Sequence, residues 1–381
     1  MKPLPRESRL FLDPRLGRFS YGRGHPFQPR RAADAILLAR SLGLLEPGQI
    51  ETSPPVASRE ELEAFHAPPY LDALERAVDL PPRDCVVWGL GDSDNPVFEG
   101  LWDYVRIVAG GSLAAVRWIL EGEPGRPRAA FHPGGGLHHA HRDRAAGFCY
   151  VNDGALAILE AASAGLRVCY VDIDAHHGDG VQEAFYESDR VLTISVHQDG
   201  RTLFPGTGFP NEIGRDAGEG YAINVPLLPG SGDPEYEIFR ERLLVPLLDR
   251  FRPDLIVTEI GVDSMRDDPL ALLDLTLEGL DRFLTAIEER GTPWLALGGG
   301  GYRPWNAIRG WSLVWASLQG KRLPEHRPEN DPEGRPLPAS WPVRLWDEAP
   351  AREVSDPRRR REHVEEAIAW LESHALPRIG A

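Results

Sequence analysis

One short stretch, Val168–Gly180, constrains both the fold and the chemistry of this chain. It starts as an apolar run typical of a strand buried on both faces, and it ends in three carboxylates, two imidazoles and two glycines. Asp172, Asp174 and His176 alternate along the chain, so in extended backbone their side chains point to the same side. Because burying such groups without a cation or mutual pairing is costly, Asp174 and His176 are candidate ligands of one metal ion. An Asp-Gly pair after a strand also forms simple turns and helix caps, but a turn does not need the other acids and histidines.

Strands and helices alternate along most of the chain. Apolar runs predict strands over 9–12 (an edge strand), 129–132, 167–172, 190–196, 255–260 and 294–297. Helical spacing predicts helices over 30–43, 60–78 (interrupted at Pro68-Pro69), 101–121, 154–164, 180–186, 235–251, 275–289 and 305–320. Such alternation requires crossover connections, so we expect one α/β domain with a mainly parallel central sheet and helices on both faces.

The C-terminal part of the chain differs in composition. Residues 321–357 are rich in proline and charge, which predicts an extended wrap, and 358–371 predict a short helix with an apolar face. Val364, Ala367, Ile368 and Leu371 form that face. We therefore expect a main domain over 1–320 and a C-terminal extension over 321–381 whose terminal helix packs on it.

Charge and hydropathy restrict the class of protein. The formal net charge is −16, which argues against nucleic acid as a partner because such proteins usually carry a basic face. The acidic balance is compatible with a cationic partner or substrate. Met1–Arg9 has no apolar signal core, and no apolar run is long enough to span a membrane. We expect a cytoplasmic protein with no membrane partner.

Chemically reactive side chains follow the predicted strands at the points where the strands end. In an open parallel sheet the ligand crevice lies outside those strand ends, so the following groups are expected to share one site: His138 and His139, the cluster of 172–180, Phe204, Asp263, and the glycine run 298–301 with Tyr302. Asp263 can complete the metal site of Asp174 and His176, although it could also merely cap a turn. Two carboxylates, one imidazole and an open position for water describe a catalytic zinc site, with iron(II) or manganese(II) as alternatives.

Two further motifs indicate proton transfer and hydrogen bonding to a substrate. The adjacent His138 and His139 in a glycine-rich loop are typical of a proton-transfer pair. The glycine run before Tyr302 lacks the lysine of a phosphate-binding loop. Its glycines instead permit a close backbone approach, and the phenol that follows is a candidate hydrogen-bond donor.

Five motifs in order resemble the zinc-dependent histone deacetylase superfamily, and most closely its bacterial histone-deacetylase-like and acetoin-utilisation-type members. They are Gly135–Ala140, Gly147–Asp153, Val171–Val181, Phe204–Gly208 and Gly298–Tyr302, and the likeness runs from about His25 to Gly320. The resemblance implies a single three-layer arginase-like domain. Residues 1–320 would then be a deacetylase catalytic domain.

The resemblance also implies roles for the residues of the site. Zinc would be held by Asp174, His176 and Asp263. His138 and His139 would handle protons, with His139 as the general base and acid and with Asp172 and Asp179 as their respective orienting carboxylates. Tyr302 would donate to the oxyanion of the tetrahedral intermediate.

Further residues would shape the substrate channel and bind a second ion. Phe148 and Phe204 would wall a narrow channel around an acetyl-lysine, with Gly147 and Gly300 beside it. Asp94 would be the carboxylate at the rim, in the run Asp92–Asp94, and Arg31 would lie beside an inner cavity for acetate release. A structural potassium ion would be bound around Asp172, Asp174, His176, Ser195 and Val196.

The sequence thus predicts a metal-dependent hydrolase that removes acetyl groups from lysine side chains of an acetylated protein or peptide substrate. A second enzymatic hypothesis is deacetylation of small amines such as acetylpolyamines. A hypothesis of another class is a non-catalytic acetyl-lysine binding protein. Loss of a metal ligand or of Tyr302 would support it, but this sequence retains them all. No oligomeric state is indicated by the sequence.

Overall fold

A single parallel sheet forms the centre of the protein. The computed structural model describes residues 6–46, 48–123, 125–348 and 356–380. Within these ranges the strands are β1 Glu7–Phe11, β2 Ile50–Glu51, β3 Arg128–His132, β4 Val168–Asp172, β5 Val191–Gln198, β6 Ala222–Leu227, β7 Leu255–Glu259 and β8 Trp294–Leu297. They form one eight-stranded sheet in the order β2-β1-β3-β8-β7-β4-β5-β6, and every neighbouring pair is parallel. The predicted α/β domain is confirmed.

Helices surround this sheet. In the described residues they are α1 Arg31–Ser41, α2 Arg59–Glu63, α3 Pro68–Glu75, α4 Pro82–Val86, α5 Leu101–Leu120, α6 Asp153–Ser163, α7 Asp179–Phe185, α8 Asp233–Phe239, α9 Val245–Phe251, α10 Leu277–Glu288, α11 Pro304–Leu318 and α12 Pro357–His374. Helices α1, α10 and α11 pack together, as do α5 and α6. Strands β4 and β7 are buried along their whole length, which explains their continuous apolar runs.

One strand prediction was wrong, and two strands were not predicted. Residues 9–12 were expected at the edge of the sheet, but β1 lies between β2 and β3. The edges are instead the two-residue β2 and the strand β6, neither of which was predicted. Pro226 weakens the strand pattern of β6, and proline is tolerated there because an edge strand has no partner on one side.

The helix predictions differ from the structure mainly at helix ends. The interruption at Pro68-Pro69 is confirmed, since α2 ends at Glu63 and α3 begins at Pro68. The helix predicted over 235–251 contains a π-helical segment, Arg240–Leu244, between α8 and α9. The short helix α4 was not predicted.

The C-terminal part contributes side chains to the main core. Leu337, Leu345, Ile368 and Leu371 are buried in the same hydrophobic cluster as the sheet, and α12 packs on β6 and α8. The predicted terminal helix is present and runs to His374. Part of the wrap predicted over 321–357 lies outside the described residues, as do residues 1–5.

Candidate active site

The proposed metal ligands meet beyond the ends of β4 and β7. Asp174, His176 and Asp263 offer ligand atoms that all lie within 4.8 Å of one another. His176 Nδ1 is 3.0 Å from Asp174 Oδ1 and 3.1 Å from Asp263 Oδ2. All three side chains are buried. The structure therefore brings together the residues that strand-end geometry predicted.

Backbone amides and charge make this group suitable for a cation. Asp174 Oδ2 accepts the N–H of Gly300 over 2.7 Å, and Asp263 Oδ1 accepts the N–H of Ala175 over 2.9 Å. Burial, and then the carboxylate of Asp174, raise the pKa of Asp263 to about 7. Two buried carboxylates and one imidazole form a donor set that suits a divalent metal ion, and a cation there would relieve the repulsion between the two acids.

The two adjacent histidines are each tied to a carboxylate. His138 Nδ1 lies 2.8 Å from Asp172 Oδ2, and His139 Nδ1 lies 2.7 Å from Asp179 Oδ1. Their Nε2 atoms face each other at 3.0 Å. A hydrogen bond between two imidazole nitrogens needs one donor and one acceptor, so only one of the two Nε2 atoms carries the shared proton.

Electrostatics assign that proton to His138. Burial alone would lower the pKa of His138, but the carboxylates of Asp172 and Asp174 outweigh burial and raise it well above its ordinary value. Burial and the positive charge of His138 lower the pKa of His139 to about 4. His139 is therefore neutral near pH 7, with Nε2 as a hydrogen-bond acceptor.

Tyr302 lies over the same crevice as a protonated phenol. Its backbone N–H donates to Asp268 Oδ2 over 2.7 Å, and its ring meets Phe148 edge-on at a centroid distance of 5.6 Å. Burial, and then the carboxylates of Asp263 and Asp174, raise the pKa of the phenol well above its ordinary value. The hydroxyl group is thus a hydrogen-bond donor at any moderate pH.

One aromatic side chain, Phe204, and one glycine, Gly147, lie beside these histidines. Phe204 is 45% exposed, although it is a large apolar side chain, and its ring centroid is 5.0 Å from that of His139. A Cβ atom on Gly147 would lie 2.5 Å from the ring of His139 and 2.9 Å from that of Phe204. A side chain at position 147 would therefore clash with both rings, and glycine avoids the clash.

Gly300 lies against the metal ligands. A Cβ atom there would lie 2.1 Å from Asp263 Oδ2 and 2.6 Å from Asp174 Oδ2. The lack of a side chain lets the loop after β8 reach the carboxylates after β4 and β7.

The acidic turn predicted for the rim lies near Phe148. Asp92 Oδ1 accepts the N–H groups of Asp94 and Asn95 at 3.0 and 2.6 Å, so its carboxylate stabilises the turn. Asp94 is exposed, and its carbonyl lies 3.2 Å from Nε2 of His25. The ring centroid of His25 is 4.7 Å from that of Phe148, which places the turn next to this aromatic group.

Arg31 and its neighbour Arg30 have different environments. Arg31 is 7% exposed and donates to the carbonyls of Gly299 and Gly301, whereas the side chain of Arg30 is 72% exposed. Arg31 also lines a small inner cavity with Phe27, Pro29, Tyr104, Gly134 and Gly135. Arg31 is thus the inward-facing member of the pair.

Of the residues expected around potassium, Asp172 and Ser195 are Cα partners across β4 and β5. Val196 follows in β5, and Asp174 and His176 follow β4. The potassium site stays a prediction.

Sequence reasoning missed three ionisable groups that lie beside His138 or beside the carboxylates that hold the two histidines. Glu259 is fully buried at the end of β7, and its Oε1 lies 3.8 Å from His138 Nδ1. Tyr170 donates to Asp172 Oδ2 over 2.7 Å. His141 contacts Asp179 and Glu183. An acid that ends a buried apolar run, as Asp172 and Glu259 both do, was a signal that could have identified Glu259.

Comparison with known proteins agrees with this geometry. The histone deacetylase domain family matches residues 25–318. The chain is 38% identical over 330 residues to the histone deacetylase RPD3 of Saccharomyces cerevisiae, an alignment that covers 86% of this chain and 75% of the yeast protein. It is 35% identical over 354 residues to the acetoin utilization protein AcuC of Bacillus subtilis, which covers 91% of this chain and 88% of AcuC.

Solved structures are similar over nearly the whole chain. An HDAC homologue crystallised in complex with SAHA has a TM-score of 0.85 and 28% identity, and the alignment covers 97% of this chain and 100% of the other. An HDAC homologue from Aquifex aeolicus has a TM-score of 0.82 and 29% identity, with coverage of 95% and 100%. The matched region, 25–318, contains the whole site from Arg31 to Tyr302. The chain belongs to the histone deacetylase family and has the arginase-like fold and deacetylase function of that family.

Proposed function

We propose that this protein is a zinc-dependent lysine deacetylase that hydrolyses the amide between an acetyl group and the ε-amine of lysine in proteins. The observation that carries the proposal is the geometry of the histidine pair: the Nε2 atoms of His138 and His139 face each other at 3.0 Å, and each imidazole is held by its own carboxylate, Asp172 or Asp179. Water attack on an amide needs a base that later acts as an acid, and His139 is suited to both steps. A non-catalytic acetyl-lysine binding protein would not need this arrangement.

Asp174, His176 and Asp263 would hold the metal. A divalent ion at this position supplies Lewis-acid chemistry towards a carbonyl and towards water. Two carboxylates and an imidazole favour zinc, with iron(II) or manganese(II) as alternatives. A structural potassium ion around Asp172, Asp174, His176, Ser195 and Val196 is a separate part of the proposal.

The protein side chains would move the protons and stabilise the developing charge. His139 Nε2 accepts a proton from the attacking water, while Asp179 holds Nδ1–H in place. His139 then returns the proton to the lysine nitrogen as the amide bond breaks. His138, oriented by Asp172, stays protonated and adds positive charge. Tyr302 donates to the oxygen of the former carbonyl, where negative charge develops.

A channel between Phe148 and Phe204 would suit a lysine side chain as the part of the substrate that reaches the metal site. Phe148 and Phe204 would wall the passage, with Gly147 and Gly300 leaving it open, and an acetylated lysine is uncharged and slender enough to enter. Arg31 would line the acetate-release cavity. Asp94 would accept N–H groups of the peptide at the rim, since its neighbour Asp92 already stabilises the turn. The net charge of −16 also suits small amines, so acetylpolyamines are the second candidate substrate.

We further propose that residues 1–320 form the deacetylase catalytic domain, that 321–381 are an extension packed on it, and that the protein is cytoplasmic. Among helices in the described ranges, none combines the length and apolar character needed to cross a bilayer.

Turnover of acetyl-peptides, acetylpolyamines and a minimal acetyl-lysine reporter, measured together with metal content, tests the proposal. We expect Asp94→Asn to weaken acetyl-peptide turnover far more than reporter turnover, because the lost contact lies outside the reacting centre. Asp92→Asn is the matched control, since an asparagine can still accept the N–H groups of the turn. Faster acetylpolyamine turnover with no effect of Asp94→Asn would favour the small-amine hypothesis. Binding of acetyl-lysine without any turnover would favour the non-catalytic one.

A further inference from the structure

The carboxylate that holds His139 has a second histidine on its other oxygen. Asp179 Oδ1 lies 2.7 Å from His139 Nδ1, while Asp179 Oδ2 lies 3.4 Å from His141 Nε2. His141 Nδ1 in turn makes a short contact with Glu183 Oε2. Asp179 and Glu183 lie four residues apart in α7 and so share one face of the helix. The result is a continuous row of four groups: His139, Asp179, His141 and Glu183.

The two histidines on Asp179 differ in charge. Burial alone would lower the pKa of His141, but hydrogen bonds to Asp179 and Glu183 outweigh burial and raise it to about 9. His141 is therefore an imidazolium near pH 7, whereas His139 is neutral. Burial would raise the pKa of Asp179, but His139 and His141 together lower it instead. Asp179 thus stays ionised although it is enclosed by protein.

The surroundings of His141 offer it no other ionic partner in the described part of the chain. It is 7% exposed and lies on the wall of a cavity of about 630 Å³ that Phe204 also lines. The other charged groups on that wall have their own contacts. Arg144 pairs with Asp143, Arg215 pairs with Glu187, and the Glu212 carboxylate accepts the N–H groups of Gly208 and Phe209. His177, also on the wall, contacts Thr207 and Gln182.

We propose that His141 is a positioning residue for deacetylation. Its imidazolium holds Asp179 ionised and oriented, so that Asp179 fixes the Nδ1–H of His139 and keeps Nε2 as the unprotonated nitrogen. Glu183 anchors His141 from the other side. This inference rests on the proposed function, because it assigns His141 a role through His139.

The first test replaces the charge while keeping a hydrogen-bond donor. We expect His141→Gln to lower kcat on an acetyl-lysine reporter by about tenfold. This is the lower end of the range of losses that follow when a residue that orients a functional histidine is replaced. KM, metal content and thermal stability should change little. His141→Lys restores a cation and should recover part of the lost kcat. Arg215→Gln, on the same cavity wall but paired with Glu187 rather than with any member of the row, is the matched control and should leave kcat unchanged.

A double-mutant cycle separates positioning from a general structural role. If His141 acts only through Asp179, then His141→Gln should have almost no further effect on kcat in an Asp179→Asn background. If the loss of kcat in the double variant instead equals the product of the losses in the two single variants, the inference is contradicted. An unchanged kcat in His141→Gln on an active wild-type protein would also contradict it, without touching the proposed function.

Proton NMR of the metal-loaded protein gives a readout that does not depend on turnover. The Nδ1–H resonance of His139, hydrogen-bonded to Asp179, should shift in His141→Gln and stay in place in Arg215→Gln. A resonance that does not move in His141→Gln would overturn the inference, whether or not the wild-type protein hydrolyses acetyl-lysine. Absence of wild-type turnover with the expected shift would overturn the proposed function alone.

Discussion

The backbone N–H of Gly300 donates to Asp174 Oδ2 over 2.7 Å, which ties the loop after β8 to the residues after β4. In the sheet, β7 lies between these two strands, so the loop crosses the end of β7, where Asp263 follows. The contact brings the segment with Tyr302 to the candidate metal ligands. Close approach of the Gly300 backbone is therefore a condition for assembling the site.

Gly300→Ala should abolish metal retention and turnover together. The added methyl group would lie 2.1 Å from Asp263 Oδ2, so the loop or the carboxylate must move. Gly17→Ala is a suitable control because a Cβ atom there meets nothing within 4 Å. Metal analysis after gel filtration checks the prediction, and a variant with full metal content and activity would contradict it.

Tyr302→Phe should keep the fold and the metal but lose most activity. Removing one donor to a developing oxyanion typically lowers kcat by about 100- to 1000-fold. The phenol is not needed for the backbone contact of Tyr302 with Asp268, so stability should change little. Wild-type turnover in Tyr302→Phe would assign the residue a packing role.

The two histidines should differ in their importance. His139→Ala removes the neutral imidazole that transfers protons in both steps, so it should be the more damaging change. His138→Ala removes a positive charge and a hydrogen-bond donor and should slow turnover less. Single-turnover rates on metal-loaded variants give the ranking, and the opposite order would reverse the two roles.

The sequence predicted the core of the site because of one geometric rule. The carboxyl ends of parallel strands meet at one edge of a sheet, so Asp174, His176 and Asp263 could be placed together from the sequence alone. The rule does not say how a helix after a strand is rotated. The contact of His141 with Asp179 depends on the orientation of α7 against the loop of His138 and His139, and it was not predicted for that reason. Strand β6 was missed because Pro226 broke its pattern.

Glu259 should make the stability of the metal-free protein depend on pH. Burial raises the pKa of Glu259 well above its ordinary value, although the charge on His138 opposes this. The folded protein therefore keeps a proton on Glu259 that the unfolded chain releases above about pH 4.3. Stability is lost as pH rises from that value through the raised pKa.

Glu259→Gln removes this loss while keeping the shape of the side chain. The free energy of unfolding of the variant, relative to wild type, should therefore increase as pH rises from about 5 to about 8. Urea titrations at several pH values, in the presence of a chelator, check this prediction. Glu99→Gln, at an exposed acid, is the control. A difference between Glu259→Gln and wild type that is constant across pH would show that Glu259 is ionised in the folded protein.

Ile368→Ala tests whether the C-terminal extension shares the main core. Ile368 is fully buried in α12 and belongs to the same hydrophobic cluster as the sheet. Truncating a buried isoleucine leaves a cavity and typically costs about 2–5 kcal/mol of stability. The control is Val343→Ala, at a side chain that is 60% exposed, which should change stability by less than about 0.5 kcal/mol. If the extension packs as part of one cooperative unit, Ile368→Ala should lower the midpoint of a single unfolding transition seen by both circular dichroism and tryptophan fluorescence. A separate early transition, with the main transition unmoved, would instead mean that 321–381 unfold independently of the catalytic domain.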